Sequence, residues 1–301
     1  MINYLSPTSI KLFSNDTEEF FLKYVSDVDI PRFPQTQPMA AGAAFDAFIK
    51  SHLHYCLFGE HFDLRTIFEN QVEEYNRDWA WEAGKHIFEE YKAVGCVTDL
   101  LRELKKAVDK PRFEFSVSNK INGVPLLGKP DVFFLNEGGT RVIYDWKVNG
   151  YCATRLTSPM KGYIKLQEIG KECKIHRDCY LMVSNGITIN VSMKLEDGNK
   201  DWADQLAIYS WLVGEEIGSE EVIFGIEQIC GPKNRLRFAS HRLKISPNYQ
   251  YNLIQFIEHI WEVMNSGWMF RNLTEEQSKE RCKLLEIRGI EESGEFSLMT
   301  S

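Results

Sequence analysis

Apolar residues recur at helical spacing through roughly the first hundred residues and then on alternate positions, so the chain predicts a helical opening followed by a sheet. Ser6-Pro7 ahead of TSIKLF reads as an N-cap with proline at the first helical position, and Asn15-Asp16 ahead of TEEFFLKYV as a second cap and helix. The stretch IPRFPQTQP carries Pro31, Pro34 and Pro38 and suits neither a helix interior nor a central strand. A long helix is expected from about Met39 through MAAGAAFDAFIKSHLHYCLF. The helical pattern resumes at Arg65 and runs to Lys110, with Tyr75, Trp79, Trp81, Phe88 and Tyr91 along it. Residues 61–110 therefore read as an all-helical insertion or subdomain.

The period then shortens. FEFSVSNKI, VPLLGKPDVFFL and RVIYDWKV are β-branched and aromatic, and Asn122-Gly123 and Glu137-Gly138-Gly139 supply hairpin turns, so three consecutive antiparallel strands are expected. Residues 148–180 look irregular, and NGITINVSM looks like a strand or hairpin arm. DWADQLAIYSWLVGEEI is an amphipathic helix capped by Asp201. EVIFGIEQIC and LRFASHRLKI follow as strands, then a helix from about Pro247 to Trp268 and a charged tail helix near Thr274 to Leu285. The expected class is α/β, a mixed central sheet flanked by helices in the order helix, strand, strand, strand, helix, strand. We read residues 1–301 as one elaborated domain, with a sheet core over 112–245 and a helical region over 246–301.

At 44% hydrophobic and 26% charged, the composition is that of a globular chain with a real core, which excludes disordered and collagen-like classes. No run of about 18 apolar residues suggests a membrane span, and the start MINYLSPTSIKLF lacks a signal-peptide layout, so a cytoplasmic protein is expected. Seven scattered cysteines without a CxxC suggest reduced thiols. The net charge of −8 argues against a polyanionic partner until its distribution is considered. Residues 147–177 hold Lys147, Arg155, Lys161, Lys165, Lys171, Lys174 and Arg177 against Glu168 and Glu172. Residues 233–244 hold Lys233, Arg235, Arg237, Arg242 and Lys244 with no acid. Two solvated strips would look the same, but this asymmetry suits one face that meets phosphates.

The residues that carry chemistry lie on two neighbouring strands. Asp145 and Lys147 point to one side of a strand, and an antiparallel neighbour can bring Asp131 alongside. Crowded carboxylates repel unless a hard cation sits between them, and Mg2+ favours carboxylates, water and phosphate oxygens. A hairpin with a surface ion pair is the plain alternative.

The runs GKPD and DWK, with QLAIY from Gln205 on the next helix, resemble the PD-(D/E)XK nuclease superfamily, in its RecB-like exonuclease branch. That branch also includes phage exonucleases, nuclease domains of helicase-nucleases and CRISPR adaptation nucleases. LSPTSIKLF, FFLKYV and the Gly42-to-Asp46 spacing in AGAAFDAF are similar to the branch's opening helices and first motif. The resemblance spans roughly residues 1–60 and 112–230. It implies a restriction-endonuclease-like core and a DNA nuclease, with exonuclease the expected mode, dependent on Mg2+ or Mn2+. In it Asp131, Asp145 and the main-chain carbonyl of Trp146 ligate the metal, Lys147 is the catalytic lysine, and Gln205 and Tyr209 hold DNA or that lysine. Asp46 stands where most members have His, and Glu114 aligns with a further acid; both are expected metal ligands. Arg155, Lys161, Lys165, Arg235 and Arg237 are expected to bind DNA. A recombination or replication protein is a further expected partner, and oligomers occur among relatives.

An iron-sulfur cluster, held in some relatives by one early and three late cysteines, does not fit this chain's cysteine positions. Cys173, His176 and Cys179 lack the close cysteine pair of a zinc site, and His52, His54 and His61 read as a helix end. A non-catalytic DNA-binding or assembly protein that keeps the nuclease fold is the competing expectation, and a helical interaction protein is a third.

Overall fold

The computed structural model describes residues 2–26, 34–60, 63–152, 181–184, 187–190 and 194–266. Arg155, Lys161, Lys165, His61, the Cys173–His176–Cys179 trio, the start of the proline-rich stretch and the expected tail helix lie outside them.

Helices α1 (Pro7–Asn15) and α2 (Thr17–Tyr24) begin where the sequence places their caps. Ser6 forms a capping box with Ser9, and the Asp16 carboxylate accepts from the Glu19 N–H at 2.9 Å. Helix α3 (Gln37–Phe58) starts two residues before Met39, capped by Thr36, and stops at Gly59 with φ +70°. Helix α4 (Leu64–Gln71), a 3-10 turn (Glu74–Asn76), α5 (Arg77–Ala93) and α6 (Cys96–Leu104) follow.

Strands β1 (Arg112–Phe113), β2 (Val117–Ile121), β3 (Val124–Gly128), β4 (Val132–Leu135) and β5 (Arg141–Asn149) replace the three strands expected here. Both longer runs break. The first breaks at Glu114, whose φ is +42°, and the second at Lys129-Pro130-Asp131, where proline has no N–H for a ladder. The pieces part into different sheets: β3 pairs with β2, across the Asn122-Gly123 turn with both φ values positive, and takes a parallel bridge from Leu5 at Leu126, while β4 pairs with β1 and β5.

Beyond β5, β6 (Leu181–Ser184), missed in the sequence, makes a hairpin with β7 (Ile187–Asn190). After α7 (Leu195–Gly198) comes α8 (Lys200–Leu212), capped by Asn199 and not by Asp201. The Asn199 side chain accepts from Trp202 N–H at 3.1 Å, whereas Asp201 sits in the first turn and pairs with Lys11 at 2.8 Å. Strands β8 (Ile223–Cys230) and β9 (Arg237–Leu243) and helix α9 (Pro247–Ser266) complete the described chain.

The main sheet runs β1-β4-β5-β8-β9-β7-β6, with β5–β8 and β7–β9 parallel and the other pairs antiparallel. This is the mixed α/β core with flanking helices that the sequence suggests. One face packs Ile143, Phe224 and Ile226 against Leu206, Trp211 and Ile257 of α8 and α9. The other packs Tyr144, Trp146 and Ile229 against Phe45, Ile87 and Tyr91 of α3 and α5. Each such side chain contributes about 1.5–3 kcal/mol by leaving water. Helices α3 and α5 approach closely because Gly84 lies over Ala44, where a Cβ would come within 2.6 Å of the alanine Cβ. The 61–110 helices thus share a core with the sheet. Among the described residues, no helix is long and apolar enough to cross a membrane.

Candidate functional site

The break between β3 and β4 leaves Asp131 one residue ahead of Val132, which pairs with Tyr144 of β5. From there its Oδ2 accepts the Trp146 N–H at 3.1 Å. Asp145 is 4% exposed and its Oδ1 accepts from Gln205 Nε2 at 3.1 Å. Lys147, two residues along on the same side of β5, forms an ion pair with Asp145 and donates to Gln205 Oε1 at 2.8 Å. Gln205 Nε2 also donates to the Tyr209 hydroxyl, one turn on along α8, at 3.0 Å. The glutamine is thereby oriented, its oxygen toward the ammonium and its amide N–H groups toward the acid and the phenol.

A second group joins from α3 and α4. Asp46 and Lys50 lie one turn apart, and Lys50 is only 2% exposed. Its ammonium is 2.7 Å from Asp46 Oδ2, 3.1 Å from Asp131 Oδ1 and 3.4 Å from Glu114 Oε2. Gln71, the last residue of α4, reaches Asp46 Oδ2 at 3.2 Å and the two Glu114 oxygens at 3.0 and 3.1 Å. Lys129 pairs with Glu114 from the solvent side. Lys50, Gln71 and Lys129 were not singled out from the sequence. The available signal was a lysine four residues after Asp46, on a stretch whose neighbours Phe45, Phe48 and Ile49 are all core residues.

The structure therefore brings Asp46, Glu114, Asp131, Asp145, Lys147, Gln205 and Tyr209 together. Arg237 opens β9 with its guanidinium 4.0 Å from Cys230 Sγ, and Cys230 pairs with Asn149 at the end of β5. Arg235 is exposed in the β8–β9 turn and lines a separate cleft of about 1110 Å3 with Trp79, His86, Tyr151 and Lys233. Neither arginine sits in the acidic group.

Burial raises the Asp145 carboxyl to about 6 despite the Lys147 ammonium, and raises Asp46 to about 7 despite Lys50. Burial would lower Lys50, but Asp131, Asp46 and Glu114 together push it above the usual lysine value. Glu114 falls below the ordinary glutamate value because Lys50 and Lys129 outweigh its burial. Tyr209 is pushed up to about 12 by burial and the Asp145 charge.

The donor set is oxygen-only, which suits Mg2+ or Mn2+ and not a soft metal. Asp145 Oδ2 is buried and ion-paired with the Lys147 ammonium, and the Lys50 charge also acts on this carboxylate, so a lone pair there fits a cation. Among the described residues, however, no three His, Cys, Asp or Glu side chains stand ready to hold a metal ion. Asp46, Glu114 and Asp131 lie at ammonium distances around Lys50. A cleft of about 510 Å3 opens over Lys147, lined by Ser6 and Thr8 at the start of α1, by Lys11 and Lys129, and by Trp202 and Gln205. The Lys147 ammonium lies 5.8 Å from the Trp202 ring centre.

A raised acid pKa means that the folded chain takes up a proton where the unfolded chain does not, so stability from Asp46 and Asp145 rises as pH falls through their folded values. The metal-free protein is expected to gain thermal stability between about pH 7.5 and 5.5, and Asp46→Asn to flatten that gain. Melting curves across this range check both; an unchanged slope in Asp46→Asn would remove Asp46 from the account.

No protein-family model matches the chain, and no curated protein is similar to it in sequence. Among solved structures, it resembles a protein from Eubacterium rectale provisionally assigned as an exonuclease, at 13% identity and TM-score 0.43, covering 88% of this chain and 82% of the other. It also resembles SSO0001, at 12% identity and TM-score 0.26, covering 87% of this chain and all of that one. At these scores the reading of the site rests on its own geometry.

Proposed function

We propose that the chain is a DNA nuclease that hydrolyses phosphodiester bonds with Mg2+ or Mn2+, an exonuclease acting in DNA processing, recombination or repair. The observation that carries this reading is the cluster of Asp131, Asp145, Lys147 and Gln205 beside an open cleft that Lys11, Lys129 and Lys147 line together with Asp201 and Asp204. When bound, the divalent ion supplies an acidified water and neutralises charge on the scissile phosphate. Asp131, Asp145 and the Trp146 carbonyl would hold it. Gln205 keeps the Lys147 ammonium at the cleft, where it orients the attacking water, and Tyr209 braces the glutamine. Lys11 and Lys129 line the cleft and suit the DNA backbone. Arg235 and Arg237, and with them Arg155, Lys161 and Lys165, extend that contact in this reading.

One observation favours a second reading, a DNA-binding protein that keeps the fold without cutting. The buried Lys50 ammonium already pairs with Asp46, Glu114 and Asp131. Melting curves with millimolar Mn2+ and incubation with end-labelled linear and closed circular DNA separate the two. The nuclease reading expects Mn2+ to raise the melting temperature by mass action and the linear DNA to be degraded from its ends. DNA binding with no shift and no cleavage leaves only the second reading.

A further inference from the structure

We infer that Lys50 is a resident cation of the acidic site, anchored by Asp46 and Glu114, so that the site takes one divalent ion and takes it at the Asp131–Asp145 end. The inference rests on the metal-dependent reading above and departs from the sequence expectation by removing Asp46 and Glu114 from the ligand set.

Three features carry it. First, Lys50 is built in: at 2% exposure its stem is enclosed by the α3 core, and its ammonium meets three carboxylates within 3.4 Å. A buried lysine with these partners loses far more by leaving than a surface lysine would. Second, the acids that meet Lys50 have other donors fixing them in place. Gln71 bridges Asp46 and Glu114, and Lys129 holds Glu114 from outside. Among the described residues, Asp46 and Glu114 share no hydrogen bond or ion-pair partner with Asp145, whose carboxylate faces Gln205 and Lys147 on α8 and β5. Asp131 alone touches both groups, through Oδ1 to Lys50 and Oδ2 to the Trp146 N–H. Third, the charges limit the count. With all four acids ionised, Asp46, Glu114, Asp131 and Asp145 oppose Lys50, Lys129 and Lys147 and leave a single net negative charge. One divalent ion turns this to a single positive charge, matched to one phosphate; a second ion would leave these seven groups with three positive charges.

Mn2+ titration of the full chain, followed by calorimetry and by the electron paramagnetic resonance of free Mn2+, tests this without turnover. The wild type is expected to bind one ion, and Asp46→Asn to bind one ion with affinity within about threefold. Lys50→Met, which keeps the stem and removes the charge, is expected to bind two ions or to bind its one at least tenfold more tightly. Loss of the ion in Asp46→Asn, or two ions in the wild type, overturns the inference while the nuclease reading stands. No binding by the wild type removes the metal-dependent reading and this inference with it. Should Lys50→Met not fold, the wild-type and Asp46→Asn results decide.

Discussion

Purified Lys147→Ala is expected to bind Mn2+ and DNA much as the parent chain does and to cut about 10²- to 10⁴-fold more slowly, the usual value of a positioned proton-transfer or water-orienting group. The substitution leaves Asp131 and Asp145 in place and deletes only the ammonium that Gln205 holds at 2.8 Å. Asp145→Ala is expected to behave differently. It removes a carboxylate that lies between Gln205 and Lys147, so it should abolish both Mn2+ binding and cleavage while DNA affinity persists. Single-turnover cleavage together with Mn2+ calorimetry on both variants separates these roles. Wild-type cutting by Lys147→Ala would refute the assignment of the lysine and the main ground for the nuclease reading.

The largest stability effect is expected at Arg242, on β9. Its guanidinium reaches Glu227 Oε1 at 3.0 Å and Glu103 Oε2 at 3.1 Å and lies 4.3 Å from the centre of the Tyr144 ring. Glu227 is 2% exposed and also accepts from the Tyr91 hydroxyl and Ser240. Arg242→Ala would leave that carboxylate buried without its counter-charge, at a cost of about 3–5 kcal/mol. Arg242→Lys keeps the charge but loses the two-armed contact and should fall between the two. Urea unfolding at neutral pH measures both. A loss below about 1 kcal/mol for Arg242→Ala would mean that the two hydroxyl donors suffice for Glu227.

How much of this was legible in the sequence depends on whether the deciding contacts are local. Ser6 and Asp16 cap helices through bonds that span three residues, and both were readable. Asp145 and Lys147 share a strand face by alternation alone. The places that were not readable depend on distant partners. Lys50 looks like an ordinary helix lysine until Asp131, 81 residues on, and Glu114 enclose it. Gln71 gains its meaning from Glu114, 43 residues away. The run VPLLGKPDVFFL has strand propensity at both ends, and only pairing decides that its halves enter different sheets. The choice of Asn199 over Asp201 as cap turned on a single residue's backbone, φ −158° and ψ 106°, which composition does not encode. The basic strip with Arg155, Lys161 and Lys165 lies outside the described residues, so its part in the site stands as proposed.

The parallel pairing of β5 with β8 has a consequence in time. β5 ends at Asn149, and its second neighbour does not begin until Ile223. At about 5–20 residues per second, a ribosome takes several seconds to supply it. Throughout that interval β5, with Val142, Ile143, Tyr144 and Trp146, has an unpaired side, the kind of strand margin to which other chains add. Gln205 also emerges after that strand, so Lys147 and Asp145 wait for the residue that orients them. A newborn chain therefore carries its acids early and its finished site late, and conditions that slow translation between these two points should favour clumping over folding.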